Sequence, residues 1–81
     1  MMTVKVQLFA IGREIVGSSE LTLTLNDGAT AQTVIELLKA RYPKFQNVKT
    51  LMVAIGTDYA DLHTKLHDGD ELAIIPPVSG G

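Results

Sequence analysis

The sequence predicts a small α+β domain: a mixed sheet of four or five strands with one main helix across one of its faces. Three observations predict it. Short stretches of alternating apolar and polar residues recur, one stretch has helical spacing, and turn-forming residues separate them. The 81 residues correspond to one domain. Because one helix covers only one face of such a sheet, the other face has to meet solvent or a partner.

The first two strands are predicted at residues 3–10 and 20–25. Alternate positions in each are apolar, which is the pattern of a strand with one buried face. Phe9 is the exception, because it is apolar but shares the outer face of the first strand with Lys5 and Gln7. The two strands are close in sequence and should pair antiparallel. The predicted inward positions are Val4, Val6, Leu8, Ala10, Leu21, Leu23 and Leu25.

The main helix is predicted at residues 31–42. Thr30 is suited to cap its first turn, and Pro43 ends it because proline has no N–H to donate. Residues 11–17, before the helix, are predicted to form a loop or a single helical turn. Residues 44–50, after it, are predicted to form a loop, with room for one helical turn.

Three further strands are predicted at residues 51–55, 59–62 and 71–75, and Leu66 is expected to fill the core between the last two. The resulting order, β-β-α-β-β-β, is satisfied by a ubiquitin-like β-grasp. In that fold the last strand runs beside the first and parallel to it.

The last predicted strand is apolar on both faces, which indicates that one of them does not face water in use. Ile75 lies on its outer face, Phe9 has outward parity on the first strand, and Tyr59 enters the short strand. Isolated exposed apolar residues are normal in proteins. Three of them near the end of the last strand favour a docking patch instead.

Composition excludes several classes of function. The chain has no cysteine, so disulfides, thiolate metal sites and a cysteine nucleophile are absent. The net charge is −2 and the seven basic residues are scattered, which argues against nucleic-acid binding. No run reaches the length of a membrane span, and no signal peptide is visible, so we expect a cytoplasmic protein without a membrane partner. We also expect no metal site, since His63 and His67 have no third ligand nearby.

Residues 76–81, Pro-Pro-Val-Ser-Gly-Gly, are predicted to form an extended tail on a domain that spans residues 1–75. Two prolines favour a stiff, projecting backbone, and two glycines leave the end of the tail without a side chain. The tail therefore offers the carboxylate of Gly81 on a thin stalk. A terminal Gly-Gly is also often a frayed end without function.

The stretch from Asp68-Gly69-Asp70-Glu71 to Gly80-Gly81 resembles the small subunit of molybdopterin synthase, the MoaD-like sulfur carriers. Further support comes from Phe9-Ala10, Arg13-Glu14, Gly28-Ala29-Thr30 and Arg41-Tyr42-Pro43. The resemblance spans essentially the whole chain, and the combination of the acidic turn with the terminal sequence is specific.

The resemblance implies a mechanism in two stages. An E1-like adenylating enzyme would use ATP to activate Gly81, and a sulfur donor protein would then convert it to a thiocarboxylate. The tail would enter the large subunit of the synthase, in an expected heterotetramer, and give its sulfur to a cyclic pterin precursor. This chain would be a non-catalytic, sulfur-donating subunit that binds no cofactor itself, and Gly80 would allow passage through a narrow channel.

The resemblance also implies which residues meet partners. Arg13 matches a position that contacts the adenylating enzyme, while Phe9, Tyr59 and Ile75 match positions of the large-subunit interface. The tail would be bound along its length, through Pro76, Pro77, Val78 and Ser79.

Other functions share the same activation chemistry. A ubiquitin-like modifier would form amide bonds to lysines through Gly81, and related carriers would supply sulfur for thiamin or for tRNA thiolation. A β-grasp interaction module with an inert tail is a third, noncatalytic class.

Overall fold

A computed structural model describes residues 1–48 and 51–75 of the chain. Two strands come first, with a short helix between them: β1 (Met2–Leu8), α1 (Ile11–Val16) and β2 (Glu20–Leu25). The main helix α2 (Ala31–Arg41) and a 3₁₀ helix (Pro43–Asn47) follow. Three strands complete the order: β3 (Met52–Ile55), β4 (Asp58–Ala60) and β5 (Glu71–Ile75).

All five strands form one mixed sheet in the order β2-β1-β5-β3-β4. The first and last strands are neighbours in the middle of the sheet and run parallel, with Leu8 opposite Ile74. The other three pairings are antiparallel. This confirms the predicted ubiquitin-like β-grasp, including the parallel pairing of first and last strands.

The core lies between α2 and one face of the sheet. Alternate residues of β1 are buried, and Val4 and Val6 have no exposed surface. They pack in one apolar cluster with α2, which contributes Val34 and Leu38. Leu66 is buried as predicted, with 3% of its surface exposed.

Two threonines fix the start of α2. The Thr30 Oγ1 accepts a hydrogen bond from the Thr33 backbone N–H at 3.4 Å, and the Thr33 Oγ1 accepts one from the Thr30 N–H at 3.1 Å. These bonds use N–H groups that the first helical turn leaves without partners. At the other end, the Tyr42 N–H donates to the Leu38 carbonyl and Pro43 begins the 3₁₀ helix. Thr30 is therefore the N-cap, as predicted.

The first strand is shorter than predicted, because the chain turns immediately after Leu8. The Gly12 N–H donates to the Phe9 carbonyl at 3.0 Å, and the Glu14 N–H donates to the Ala10 carbonyl at 3.2 Å. These bonds begin α1 and remove residues 9 and 10 from the strand. The prediction that Ala10 faces the core was wrong, since it is exposed and has a positive φ of 50°.

Residues 43–47 form a 3₁₀ helix where a loop was predicted, and this helix places Phe45 in the core. Phe45 has no exposed surface, and its ring meets that of Tyr42 edge to face, with 6.2 Å between centroids. Aromatic pairs prefer this arrangement over a direct stack. The sequence pattern misses Phe45 because one buried residue in five produces no periodicity.

The strand predicted at residues 59–62 is found at Asp58–Ala60. It ends early because Asp61 forms a turn: its carboxylate accepts from the His63 N–H at 2.8 Å, and its carbonyl accepts from the Thr64 N–H at 3.0 Å. Leu62 is consequently exposed beyond the strand.

Within the described part of the chain, none of the helices combines the length and the apolar character that a membrane span requires.

Candidate functional site

The candidate site is the outer face of the sheet, opposite α2. Strand register fixes which residues share this face, since side chains alternate along each strand. One row runs across all five strands, with β2 and β4 at its ends: Glu20, Gln7, Ala73, Ala54 and Tyr59. In the neighbouring row, Ile75 of β5 lies opposite Met52 of β3.

The outer face divides into two halves of different character. The polar half belongs to β2 and β1, where the Gln7 side-chain amide donates to the Glu20 carboxylate at 2.8 Å. Its remaining side chains are Thr3, Lys5, Thr22 and Thr24.

The apolar half belongs to β5, β3 and β4. Its apolar side chains are Met52, Ala54, Tyr59, Ala73 and Ile75. Glu71 begins β5 on the same face, opposite Lys5, and is a charged, exposed residue at the border of this half. The exposed fraction is 42% for Met52 and 65% for Tyr59, while the other three apolar residues are half-buried. Aromatic residues and methionine are enriched in the cores of protein interfaces, where charged residues are depleted. The composition of the apolar half is therefore that of a docking surface.

Phe9 adjoins the apolar half at the end of the parallel pair. Leu8 of β1 lies opposite Ile74 of β5, and Phe9 and Ile75 are the residues that follow them in the sequence. Phe9 is 52% exposed, although it lies in the turn after β1 rather than on the strand. Tyr59 and Ile75 thus share the outer face, and Phe9 is exposed in the adjoining turn. A common docking role of the three residues stays a prediction.

Arg13 lies on α1, beyond the turn that carries Phe9. It is exposed, and none of the salt bridges among the described residues includes it. Its carbonyl accepts a hydrogen bond from the Gly17 N–H at 2.8 Å, which closes the helix. Its predicted contact with an adenylating enzyme stays a prediction.

The tail predictions fall outside the described residues. Ile75 is the last residue that the structure describes, at the end of a strand in the interior of the sheet. The predicted roles of the tail concern Pro76, Pro77, Val78, Ser79, Gly80 and Gly81. Among residues 1–48 and 51–75, no group of three potential metal ligands comes together.

Sequence reasoning missed Met52, which occupies the apolar half beside Ile75. A usable signal was present, because Met52 stands between Leu51 and Val53, both of which are buried. Alternation therefore requires Met52 to face outward. Ala54 follows from the same parity and lies opposite Tyr59.

Comparison with known proteins agrees with this architecture. The model of the ThiS family matches residues 6–81. A molybdopterin synthase sulfur carrier subunit of Chlamydomonas reinhardtii is 42% identical and covers 99% of this chain and 100% of its own. Its counterpart in Arabidopsis thaliana is 39% identical, covering 96% of this chain and 82% of its own length.

Solved structures with a similar fold include the small archaeal modifier protein 1 of Methanosarcina acetivorans. It superposes with a TM-score of 0.82 at 33% identity and covers 100% of this chain and 98% of its own. The similarity to the carrier subunits extends over nearly the entire length of both chains. The chain therefore belongs to the ThiS family, together with the MoaD-like sulfur carrier subunits of molybdopterin synthase.

Proposed function

We propose that this protein carries sulfur as the C-terminal thiocarboxylate of Gly81 and donates it within a molybdopterin synthase. The similarity to sulfur carrier subunits over 99% of the chain is the observation that carries the proposal. The family match also runs through Gly80 and Gly81, the residues that would react.

The carboxylate must be activated because a free carboxylate is a poor electrophile. Attack of a Gly81 carboxylate oxygen on the α-phosphorus of ATP would form an acyl-adenylate and release pyrophosphate. The terminal sulfur of a persulfide on the donor protein would then add to the acyl carbon and expel AMP. A thiol would cleave the resulting acyl disulfide, which leaves a thiocarboxylate on Gly81 and a disulfide between the thiol and the donor. The adenylating enzyme binds the ATP in this scheme, and this chain contributes only the acyl group.

The body of the protein would position the tail in its partners. Gly80 has no Cβ, so the last residues need a channel only as wide as the backbone. The apolar half of the outer face and Phe9 supply the surface that the large subunit would cover, adjacent to the end of β5 from which the tail continues.

A dithiolene contains two sulfur atoms, so each pterin product consumes two carriers loaded with sulfur. An assembly of two small and two large subunits fits this stoichiometry.

Intact-mass spectrometry of the protein from its native host tests the proposal directly. We expect a species in which one oxygen of Gly81 is replaced by sulfur, and this species should disappear when the adenylating enzyme is deleted. A population that carries only the carboxylate under molybdopterin-producing conditions would contradict the proposal.

A blocked terminus provides the second test. Adding one residue after Gly81 turns the reacting carboxylate into an amide, so ATP–pyrophosphate exchange with the adenylating enzyme should be abolished. Deleting Gly81 withdraws the carboxylate by about 3.3–3.6 Å, and an error of about 1 Å already costs around a hundredfold in rate. Exchange by the extended protein without trimming to Gly81, as checked by mass, would overturn the mechanism.

Protein modification is the second candidate function. It is favoured by the 33% identity to the archaeal modifier protein, which covers the entire chain. A modifier would form an amide bond between Gly81 and a lysine of another protein. The same mass measurement separates the two functions, because conjugates carry the mass of a second chain and thiocarboxylates do not. A carrier that supplies sulfur for thiamin or for tRNA would also carry the thiocarboxylate. Its sulfur transfer would continue when the large subunit of molybdopterin synthase is deleted.

A cytoplasmic location stays a prediction from the sequence.

A further inference from the structure

The turn that follows β1 contains an alanine in a backbone conformation that glycine normally adopts. Ala10 has φ 50° and ψ −125°, inside a turn closed by the bond from the Gly12 N–H to the Phe9 carbonyl. A side chain at positive φ is strained because its Cβ crowds the backbone. The other described residues with positive φ are all glycines: Gly17, Gly28, Gly56 and Gly69.

Stability of the isolated protein does not explain this alanine. Ala10 is exposed, so its methyl group adds little to the core. Glycine at the same position would relieve the strain at positive φ. The chain uses glycine at Gly28, where φ is 88° and the space around a Cβ is open. Retention of a strained, exposed methyl group indicates that it acts outside the folded body.

The position of the turn indicates where that methyl group acts. Ala10 stands between Phe9 and Ile11, which are 52% and 46% exposed. The pairing of Leu8 with Ile74 places this turn at the edge of the apolar half, beside Ile75. The turn therefore adds two exposed apolar side chains, Phe9 and Ile11, at the end of the strand pair that carries Ile75.

We propose that Ala10 is a contact residue of the large-subunit interface, and that its strained backbone is kept because the methyl group packs against that partner. This inference rests on the proposed function, and it extends the interface from the sheet onto the turn and Ile11. It predicts that stability and binding respond in opposite directions to the same substitution.

Ala10→Gly tests this opposition. Loss of strain should raise the melting temperature by a few degrees, since about 1 kcal/mol corresponds to roughly 4–8 °C in a domain of this size. Loss of the buried methyl group should weaken binding to the large subunit about fourfold in a calorimetric titration. Gly28→Ala is the matched control, because it introduces the same kind of strain at the opposite end of the sheet. It should lower the melting temperature and leave the affinity unchanged.

Ala10→Ser separates contact from rigidity. Serine keeps the Cβ and the restricted backbone but adds a hydroxyl group, which is costly to bury without a partner. Weaker binding by both Ala10 variants would support the contact. Wild-type affinity of Ala10→Ser would show that only the stiffness of the turn matters, and wild-type affinity of Ala10→Gly would show that the methyl group is unused. Either result overturns the inference, as does a lower melting temperature for Ala10→Gly. Failure of the wild-type protein to bind the large subunit would instead refute the proposed function.

Discussion

The two halves of the outer face belong to one sheet but differ in what they can do in water. On β2 and β1, threonines alternate with Lys5 and a hydrogen-bonded pair of Gln7 and Glu20. On β5, β3 and β4, the corresponding positions are alanines, Ile75, Met52 and Tyr59, with Glu71 at the start of β5 as the one charged exception. The inward side chains of both halves contribute to one apolar cluster, so the two halves differ chiefly in their outward side chains.

This contrast locates the interface on one side of the sheet. A pair of antiparallel strands with apolar residues on one face and polar residues on the other can leave its polar face in water. Exposed methionine and tyrosine side chains on adjacent strands are instead stabilised when a partner covers them. The end of β5 lies on the apolar side, beside Met52. Docking of this half would therefore bring the beginning of the tail to the partner.

Phe9→Glu should have the largest effect on binding. A charge in a desolvated contact is costly, and loss of an aromatic anchor typically costs about 2 kcal/mol or more, roughly thirtyfold in Kd. The free energy of unfolding should change by no more than about 0.5 kcal/mol, because Phe9 is half-exposed. Titration with the large subunit and thermal unfolding measure both quantities.

Thr22→Glu is the control in the polar half, opposite Lys5. It adds the same charge to the same face and should bind normally. Equal loss of affinity in the two variants would show that charge, rather than the apolar half, determines binding. If Phe9→Glu unfolds the protein but folded molecules keep their affinity, Phe9 belongs to the core.

Met52→Ala should have an intermediate effect. Truncation removes apolar contact at the centre of the apolar half, and we expect a loss of about 1 kcal/mol, roughly fivefold in Kd. Thr22→Ala is the matched truncation in the polar half. Because Thr22 lies outside the proposed contact, the affinity of this variant should stay within about twofold of wild type in the same titration. A larger loss for Thr22→Ala than for Met52→Ala would move the interface to β2 and β1.

Thr22→Ile should have the smallest effect. Isoleucine suits a strand, so unfolding stability should rise by a few tenths of a kcal/mol at most. Affinity for the large subunit should not change, because the added side chain lies outside the apolar half. Denaturant titration and calorimetry provide the measurements, and a severalfold gain in affinity would mean that the partner covers both halves.

Alternation predicted most of the sheet from the sequence. The bounds of β2 and β5 agree with the prediction. β2 alternates strictly, and β5 is an apolar run that begins after the Asp68-Gly69-Asp70 turn and stops before Pro76. The end of β1 was not predictable in this way, since Ala10 continues the period of Val4, Val6 and Leu8. Only a backbone conformation unfavourable for alanine shows that the strand has ended.

The site was predictable where parity decides exposure and unpredictable where a turn intervenes. Tyr59 and Ile75 lie on the outer face as their strands require. Ile11 is exposed on a helix of six residues, which is too short for a periodic pattern to establish its orientation. Met52 could have been assigned from its buried neighbours, Leu51 and Val53.

The parallel pairing of β1 and β5 also determines how the protein responds to mechanical load. A pull on Ile75 runs along β5, and a counter-force at Met2, at the opposite end of β1, would oppose it. The strands are then loaded in shear, so the bonds along the register from Lys5 and Glu71 to Leu8 and Ile74 share the force. Peeling would break them one at a time. If the tail enters a partner's channel as proposed, this arrangement would help the domain to stay folded while the tail is drawn in and released.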